Sequence, residues 1–106
     1  MPPSLIRGDV WLVDLGLAAK TRPCLVLSVL AGDSDRALAT IVPHTTSLRG
    51  SRFEVALPIR FLRAGGFDAQ NLITIPTVKF VRRLGSLSAA ELAAVEKVVR
   101  FWLGLN

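Results

Sequence analysis

The hydrophobic pattern of this chain changes its period once, near residue 88, and that change limits the folds open to it. Before residue 88 the apolar residues form short runs rich in β-branched and aromatic side chains, separated by glycine, proline and polar turns. These runs predict strands at 10–15, about 23–29, 37–42, 53–57, 71–75 and 78–81. The third run is expected to stop at Pro43, because proline cannot donate to a central ladder. We therefore expect a small, strongly curved antiparallel sheet or barrel.

After residue 88 the apolar residues recur at helical spacing. Ser88 and Glu91 form a capping-box pattern, and one face of the following segment carries Leu92, Val95, Val99 and Trp102. This predicts a helix at about 89–103 that caps the sheet and ends near Gly104. The apolar side is wider than one stripe, because Phe101, Leu103 and Leu105 add to it. The extra apolar area favours a dimer.

Length and charge narrow the function. A chain of 106 residues fits one domain spanning 1–106, because two cores would each be too small. Half of the residues are apolar, which excludes a mainly disordered protein. Thirteen Lys and Arg against eight Asp and Glu give a formal net charge of +5. This balance favours nucleic acid or another acidic partner, and the alternative is a surface that is merely basic.

The cysteine and the termini point to an ordinary cytoplasmic protein. Cys24 is the single cysteine and lies in an apolar run, so we expect a buried, inert thiol. The N-terminus has no apolar stretch of signal-peptide length, and the longest apolar run elsewhere is too short to span a membrane.

The sequence offers no cofactor chemistry. One His and one Cys, twenty residues apart, make no metal site by themselves, and Gly65-Gly66 lacks the Lys and Ser/Thr of a nucleotide-binding loop. What remains is a set of basic and hydroxyl side chains around the ends of two strands: Lys20, Arg22, His44, Thr45, Thr46, Ser47 and Arg49. RNA carries its own nucleophile, the 2′-hydroxyl, so such residues suffice to align it and to stabilise charge on the phosphate.

Each of these residues also has a plain structural interpretation. Arg22 is then a surface residue before a proline, and Thr46 is a turn hydroxyl that satisfies local backbone. His44 has the unperturbed pKa nearest to neutral and is a candidate for proton transfer. A lone histidine at a strand end is nevertheless more often structural.

In this order, the residues resemble the MazF/PemK toxin family from about Arg7 to the C-terminus. The segments that carry the resemblance are Arg7–Leu15, Lys20–Ser28, Ile41–Ser47 with Arg49-Gly50 and Phe53–Val55, and Leu84–Ser88. The resemblance implies an SH3-like barrel with a C-terminal helix, a two-fold dimer and an acidic, MazE-like antitoxin. It also implies cleavage of single-stranded RNA that leaves a 2′,3′-cyclic phosphate and a 5′-hydroxyl.

By position, Arg22 matches the family's catalytic arginine and Thr46 its catalytic threonine, with Thr45 as the alternative if the loop register slips by one. The further substrate-binding candidates are Lys20, Thr45, Ser47, Arg49, His44 and Arg82. The sequence departs from the pattern of this family at two places that concern the recognition of RNA bases. The loop from Gly16 to Arg22 is shorter than in many relatives and lacks their Glu-Gln pair, and Asn71 stands where glutamine is common in the family.

Two other functions compete with this one. A CcdB-like toxin has a similar fold but binds DNA gyrase through its last helix and cuts nothing, and fold alone does not decide function. A non-catalytic RNA-binding barrel would stack bases on Trp11, Phe53, Phe67 or Phe80. The pair of Arg22 and Thr46 favours the ribonuclease.

Overall fold

A computed structural model describes residues 4–18 and 20–106 of the chain. In these residues there are seven strands, two single-turn 3₁₀ helices and one α-helix. The strands are β1 (Asp9–Asp14), β2 (Thr21–Val26), β3 (Leu38–Thr45), β4 (Glu54–Ala56), β5 (Gly66–Asp68), β6 (Ile73–Pro76) and β7 (Phe80–Ser86). The 3₁₀ helices are Ala69–Asn71 and Thr77–Lys79, and α1 is Ala89–Leu103.

The strands form one antiparallel sheet in the order β4-β5-β3-β2-β1-β7, and β6 also pairs with β3. The predicted mainly β chain with a C-terminal helix is therefore confirmed. Over the described residues the hydrogen-bonded order begins at β4 and ends at β7, so the curved sheet is not closed into a complete barrel.

The sequence predicted that the third strand stops at Pro43. In the structure, the central strand β3 continues to Thr45. Pro43 pairs with Cys24 of β2 on one side. On its other side, the pairing with β6 ends at Ile41 and the pairing with β5 begins at His44. Pro43 thus lies where two partner strands change over, a point at which a missing N–H costs no ladder bond on that edge.

Strand β5 was not among the predicted strands, and it begins at Gly66, directly after Gly65. These glycines allow three backbones to approach closely. A Cβ on Gly65 would lie 2.1 Å from the carbonyl oxygen of Thr45, and one on Gly66 would lie 2.8 Å from that of Val55. The strands predicted to begin at residues 71 and 78 begin instead at Ile73 and Phe80, because the two 3₁₀ turns occupy 69–71 and 77–79.

Alternation along the strands gives the sheet two apolar faces. Val10, Leu25 and Val42 belong to a core cluster that also contains Val95 and Val99 of α1. The other face carries a second cluster, which includes Val13, Cys24, Val26, Ile41 and Phe80. The residues that concern function lie at the end of this second face.

Helix α1 spans the predicted residues. Ser88 accepts a hydrogen bond from the backbone N–H of Glu91, the Glu91 carboxylate accepts one from the backbone N–H of Ser88, and Gly104 ends the helix with φ of 70°.

At the β7 end of the sheet order, a polar network joins β1 to β7. Buried Asp9 accepts hydrogen bonds from the Ser86 hydroxyl at 2.5 Å and from Nε of Arg83 at 3.1 Å.

Candidate functional site

The register of the two central strands brings Arg22 and Thr45 together. Cys24 pairs with Pro43 and Leu25 with Val42 in antiparallel register. Arg22 and Thr45 each lie two residues beyond this last pair, Cys24 and Pro43. Because alternate residues of a strand project from the same face, both side chains point to the face that Cys24 and Pro43 share.

That side holds a cavity of about 360 Å³ at the end of β2 and β3, which we call the first cavity. Its size is within the usual range for ligand sites. It is lined by Leu15, Arg22, Pro43, His44, Thr45, Asp68, Asn71 and Ile73. Arg22 and Thr45 therefore line one cavity whose walls are both polar and apolar.

A second cavity of about 270 Å³ adjoins the first. Thr45, Asp68 and Asn71 line both cavities and form the wall between them. The remaining lining residues of the second cavity are Ser47, Arg49, Ser51, Glu54 and Gln70. Two predicted substrate-binding residues, Ser47 and Arg49, thus lie on its wall.

Thr45 and Thr46 differ in their surroundings. The Thr45 side chain is partly buried, and its Oγ1 accepts a hydrogen bond from the backbone N–H of Ser47 at 3.0 Å. That contact fixes the oxygen and leaves the hydroxyl proton available for donation. Thr46 is exposed in the bend after β3 and lines neither cavity. The structure therefore brings the alternative, Thr45, to Arg22.

His44 forms part of the wall of the first cavity but is only 3% exposed. Its ring packs edge-on against Phe67 with centroids 5.1 Å apart. Burial lowers the pKa of His44 below its usual value, so the imidazole is neutral at physiological pH. Nε2 is buried, and no described residue is hydrogen-bonded to it. A role in proton transfer stays a prediction.

The family is decided by a match over nearly the whole chain. The family model of PemK-like, MazF-like toxins of type II toxin-antitoxin systems matches residues 6–103. The chain belongs to this family.

Solved structures agree with that assignment. A chain in the MazE–MazF structure from Deinococcus radiodurans superposes with a TM-score of 0.82 at 25% identity, covering 98% of this chain and 99% of that chain. An endoribonuclease from a Mycobacterial species gives a TM-score of 0.78 at 26% identity, with 99% and 94% covered. A Mycobacterial endoribonuclease in complex with its cognate antitoxin gives 0.78 and 26%, with 99% and 96% covered.

Two residues that the PemK/MazF resemblance suggested for substrate binding lie outside the two cavities. Lys20 is exposed at the end of the β1–β2 turn, with φ of 56°, and its N–H donates to the Gly16 carbonyl at 2.6 Å. Arg82 pairs with Leu12, whose partner in β2 is Pro23. Because neighbouring residues of a strand alternate, Arg82 and Arg22 project from opposite faces. Their contacts with substrate stay predictions.

The thiol next to the site is buried, as its apolar neighbours in the sequence predicted. Cys24 is fully buried, and burial raises its pKa to about 12, although the charge of Arg22 opposes that shift.

Among residues 4–18 and 20–106, no group of three or more His, Cys, Asp or Glu side chains is placed to hold a metal ion. No helix of that part of the chain is long and apolar enough to cross a membrane.

The sequence did not single out Asp68 as a site residue, and it flagged Asn71 only as a departure from the family. Both lie in the wall between the cavities, and Nδ2 of Asn71 donates to a carboxylate oxygen of Asp68 at 2.5 Å. The available signal was the Asp-x-x-Asn spacing. It carries meaning only once β5 is recognised as a strand next to Thr45.

Proposed function

We propose that this protein is the toxin of a toxin-antitoxin pair and that it cleaves single-stranded RNA without a metal ion. Membership of the PemK/MazF family supports this, as does the likeness to chains named endoribonucleases. The observation that carries the proposal is that Arg22 and Thr45 line one cavity. We take residues 1–106 as one functional domain.

The proposed reaction uses the 2′-hydroxyl of the substrate as nucleophile. Its oxygen forms a bond to the adjacent phosphorus, the bond from phosphorus to the 5′-oxygen breaks, and a 2′,3′-cyclic phosphate remains. The 2′-hydroxyl loses its proton, and the departing 5′-oxygen gains one. The protein's task is to align these atoms and to stabilise the charge that grows on the phosphate oxygens.

Arg22 and Thr45 suit that task. A guanidinium donates two parallel hydrogen bonds to phosphate oxygens and keeps its charge throughout the reaction. The Thr45 oxygen accepts from the Ser47 N–H, so its own proton remains available for donation to the substrate. We therefore propose Thr45, rather than Thr46, as the partner of Arg22. Ser47 and Arg49 would bind an adjoining nucleotide in the second cavity.

The proposed partners follow from charge and from exposed apolar area. The net charge of +5 favours RNA and an acidic antitoxin segment, and related structures have been solved as complexes with MazE or a cognate antitoxin. Exposed apolar side chains at the end of α1 support an isologous dimer. They are Phe101, Trp102, Leu103 and, after the helix, Leu105. We expect the protein to act in the cytoplasm.

The structure supports the competing functions less well. Phe67 and Phe80 are buried, so their rings are not available for stacking on bases. Phe53 packs against Phe101 and Trp102, and Trp11 packs edge-on against Phe80. A gyrase-binding toxin would not need Arg22 and Thr45 to face a common cavity.

The test is incubation of the purified protein with a long single-stranded RNA in excess EDTA. We expect discrete fragments with 5′-hydroxyl ends from the wild type and from Arg36→Ala, an exposed arginine that lines neither cavity. Arg22→Ala should give no comparable fragments. Absence of cleavage by the wild type would support the gyrase-binding or RNA-binding alternatives instead.

A further inference from the structure

A carboxylate in the wall of a site for a polyanion needs a physical explanation. Asp68 lines both cavities and lies directly opposite Glu54 in the β4–β5 ladder. Like charges at directly opposite positions destabilise a sheet, and both would repel RNA phosphates. Each of the two carboxylates therefore needs a role that offsets this repulsion.

Glu54 has such a role in the fold. Its carboxylate accepts hydrogen bonds from the backbone N–H groups of Arg49 and Ser51 at 2.9–3.2 Å. It thereby holds the loop between β3 and β4. Phe53 belongs to the same turn, since its N–H donates to the Ser51 hydroxyl.

Asp68 has no comparable role. It occupies the N-cap position of the 3₁₀ turn Ala69–Asn71, where aspartate usually caps, but its side chain makes no cap hydrogen bond. Instead, one carboxylate oxygen accepts from Nδ2 of Asn71 at 2.5 Å. The carboxylate is thus hydrogen-bonded to a side chain rather than to the backbone of this turn, and both residues line the two cavities.

The pairing of these two side chains fixes what they present. A carboxylate only accepts, so the amide nitrogen of Asn71 must face it. Asn71 keeps its carbonyl oxygen for a ligand, and Asp68 keeps its second oxygen. Neither of these two oxygens takes part in the hydrogen bond between the two side chains. We call this pair of oxygens the acceptor edge.

Two acceptors that contact neighbouring positions of a base would select among the four bases. Guanine alone has two neighbouring donors, N1–H and the 2-amino group, on its Watson–Crick edge. Adenine, cytosine and uracil each place an acceptor beside their donor, which would face an acceptor of the protein. In single-stranded RNA these edges are free for recognition by protein.

We propose that the acceptor edge of Asp68 and Asn71 binds a guanine base of the substrate, next to the phosphate held by Arg22 and Thr45. The proposal rests on the RNA cleavage proposed above and specifies its base preference. The second cavity supports a base rather than a phosphate there, because its wall carries two carboxylates, Glu54 and Asp68, and one cation, Arg49. A base has no net charge, so it is not repelled.

The first test maps cleavage sites on a randomised single-stranded RNA library by sequencing the fragment ends. We expect guanine to be enriched at one position beside the cut. Asp68→Asn should reduce that preference by roughly tenfold to 100-fold, the value of a hydrogen bond to a charged group. Asp33→Asn is the matched control, since it removes the same charge at an exposed position outside both cavities.

Asn71→Ala provides a second variant, which should weaken the guanine preference by removing one acceptor. Thermal unfolding of each variant establishes that it is folded. No guanine preference near the cut, or an unchanged preference in folded Asp68→Asn, would overturn the proposal.

The second test separates base recognition from cleavage. Binding of guanosine 3′-monophosphate and inosine 3′-monophosphate is compared by calorimetry, because inosine lacks only the 2-amino group. We expect the wild type to bind the guanosine compound several-fold more tightly and Asp68→Asn to bind the two alike. Equal binding by the wild type would refute guanine recognition even if RNA is cut. If the wild type binds the guanosine compound more tightly but cuts no RNA, guanine recognition is retained and the proposed endonuclease activity is refuted.

Discussion

Gly65→Ala tests the link between the close strand packing and the site. A Cβ built on Gly65 lies 2.1 Å from the carbonyl oxygen of Thr45 and 3.0 Å from both the Thr45 carbonyl carbon and Cε1 of His44. The nearest obstacle is backbone, so no side-chain rotation relieves it. The end of β3 and the segment before β5 must separate by about 1 Å to restore ordinary contact.

The displaced residue is the proposed partner of Arg22. A misplacement of about 1 Å typically costs about 100-fold in rate, because reacting groups lose their alignment. Forcing an extra carbon into close packing costs about 1–3 kcal/mol of stability. We therefore expect kcat to fall about 100-fold, together with a reduction of the free energy of unfolding by about 1–3 kcal/mol.

The assay is single-turnover cleavage of a labelled RNA, paired with chemical denaturation. Gly32→Ala is the control, since its new Cβ would meet only the Asp35 carboxylate, at an ordinary 3.5 Å, and it lies outside both cavities. A Gly65→Ala protein with wild-type rate and stability would refute the argument from close packing. Loss of stability with an unchanged rate would show that the position of Thr45 is not critical.

Three further predictions concern single residues. The RNA cleavage rate should fall by roughly 100-fold to 1000-fold in each of Arg22→Ala, Arg22→Lys and Thr45→Ala, while the protein remains folded. The rate of Thr46→Ala should stay close to wild type. If a cleavage assay gives the opposite result for the two threonines, Thr46 is the catalytic one. Because burial lowers the pKa of His44 in the folded state, the unfolded chain takes up a proton first as the pH falls below about 6.5. The free energy of unfolding should then fall by at most about 1.4 kcal/mol per pH unit, and denaturation of His44→Gln between pH 7 and 5 should show a flatter dependence. Asp9→Ala should lower the free energy of unfolding by about 1–3 kcal/mol through loss of the β1–β7 network, and unchanged denaturation would contradict that role.

Local signals predicted the parts of the fold that local interactions determine. Helix α1 was predicted with its bounds, because Ser88, Glu91 and Gly104 act within one turn of its ends. Strand β1 was predicted to within a residue for a similar reason, as an apolar run follows a turn. The buried state of Cys24 also followed from its apolar neighbours.

Features that depend on distant partners were not predictable in this way. The passage of β3 through Pro43 depends on where β6 ends and β5 begins. The strand at Gly66 depends on backbones that come close only after folding. The choice between Thr45 and Thr46 likewise needs the register of β3 against β2, which no local pattern contains. Of the predicted basic and hydroxyl residues, Lys20 and Thr46 do not line either cavity, and the other five do.

The central claim is that the substrate's own 2′-hydroxyl attacks the phosphate held by Arg22 and Thr45. It is tested most directly on a short RNA whose cut site has been mapped, compared with the same strand carrying one deoxyribose on the 5′ side of the scissile phosphate. We predict that both strands bind with similar affinity and that only the all-ribose strand is cut, in EDTA. Cleavage of the deoxy-substituted strand at the same bond would contradict the account, because the nucleophile would then have to be water.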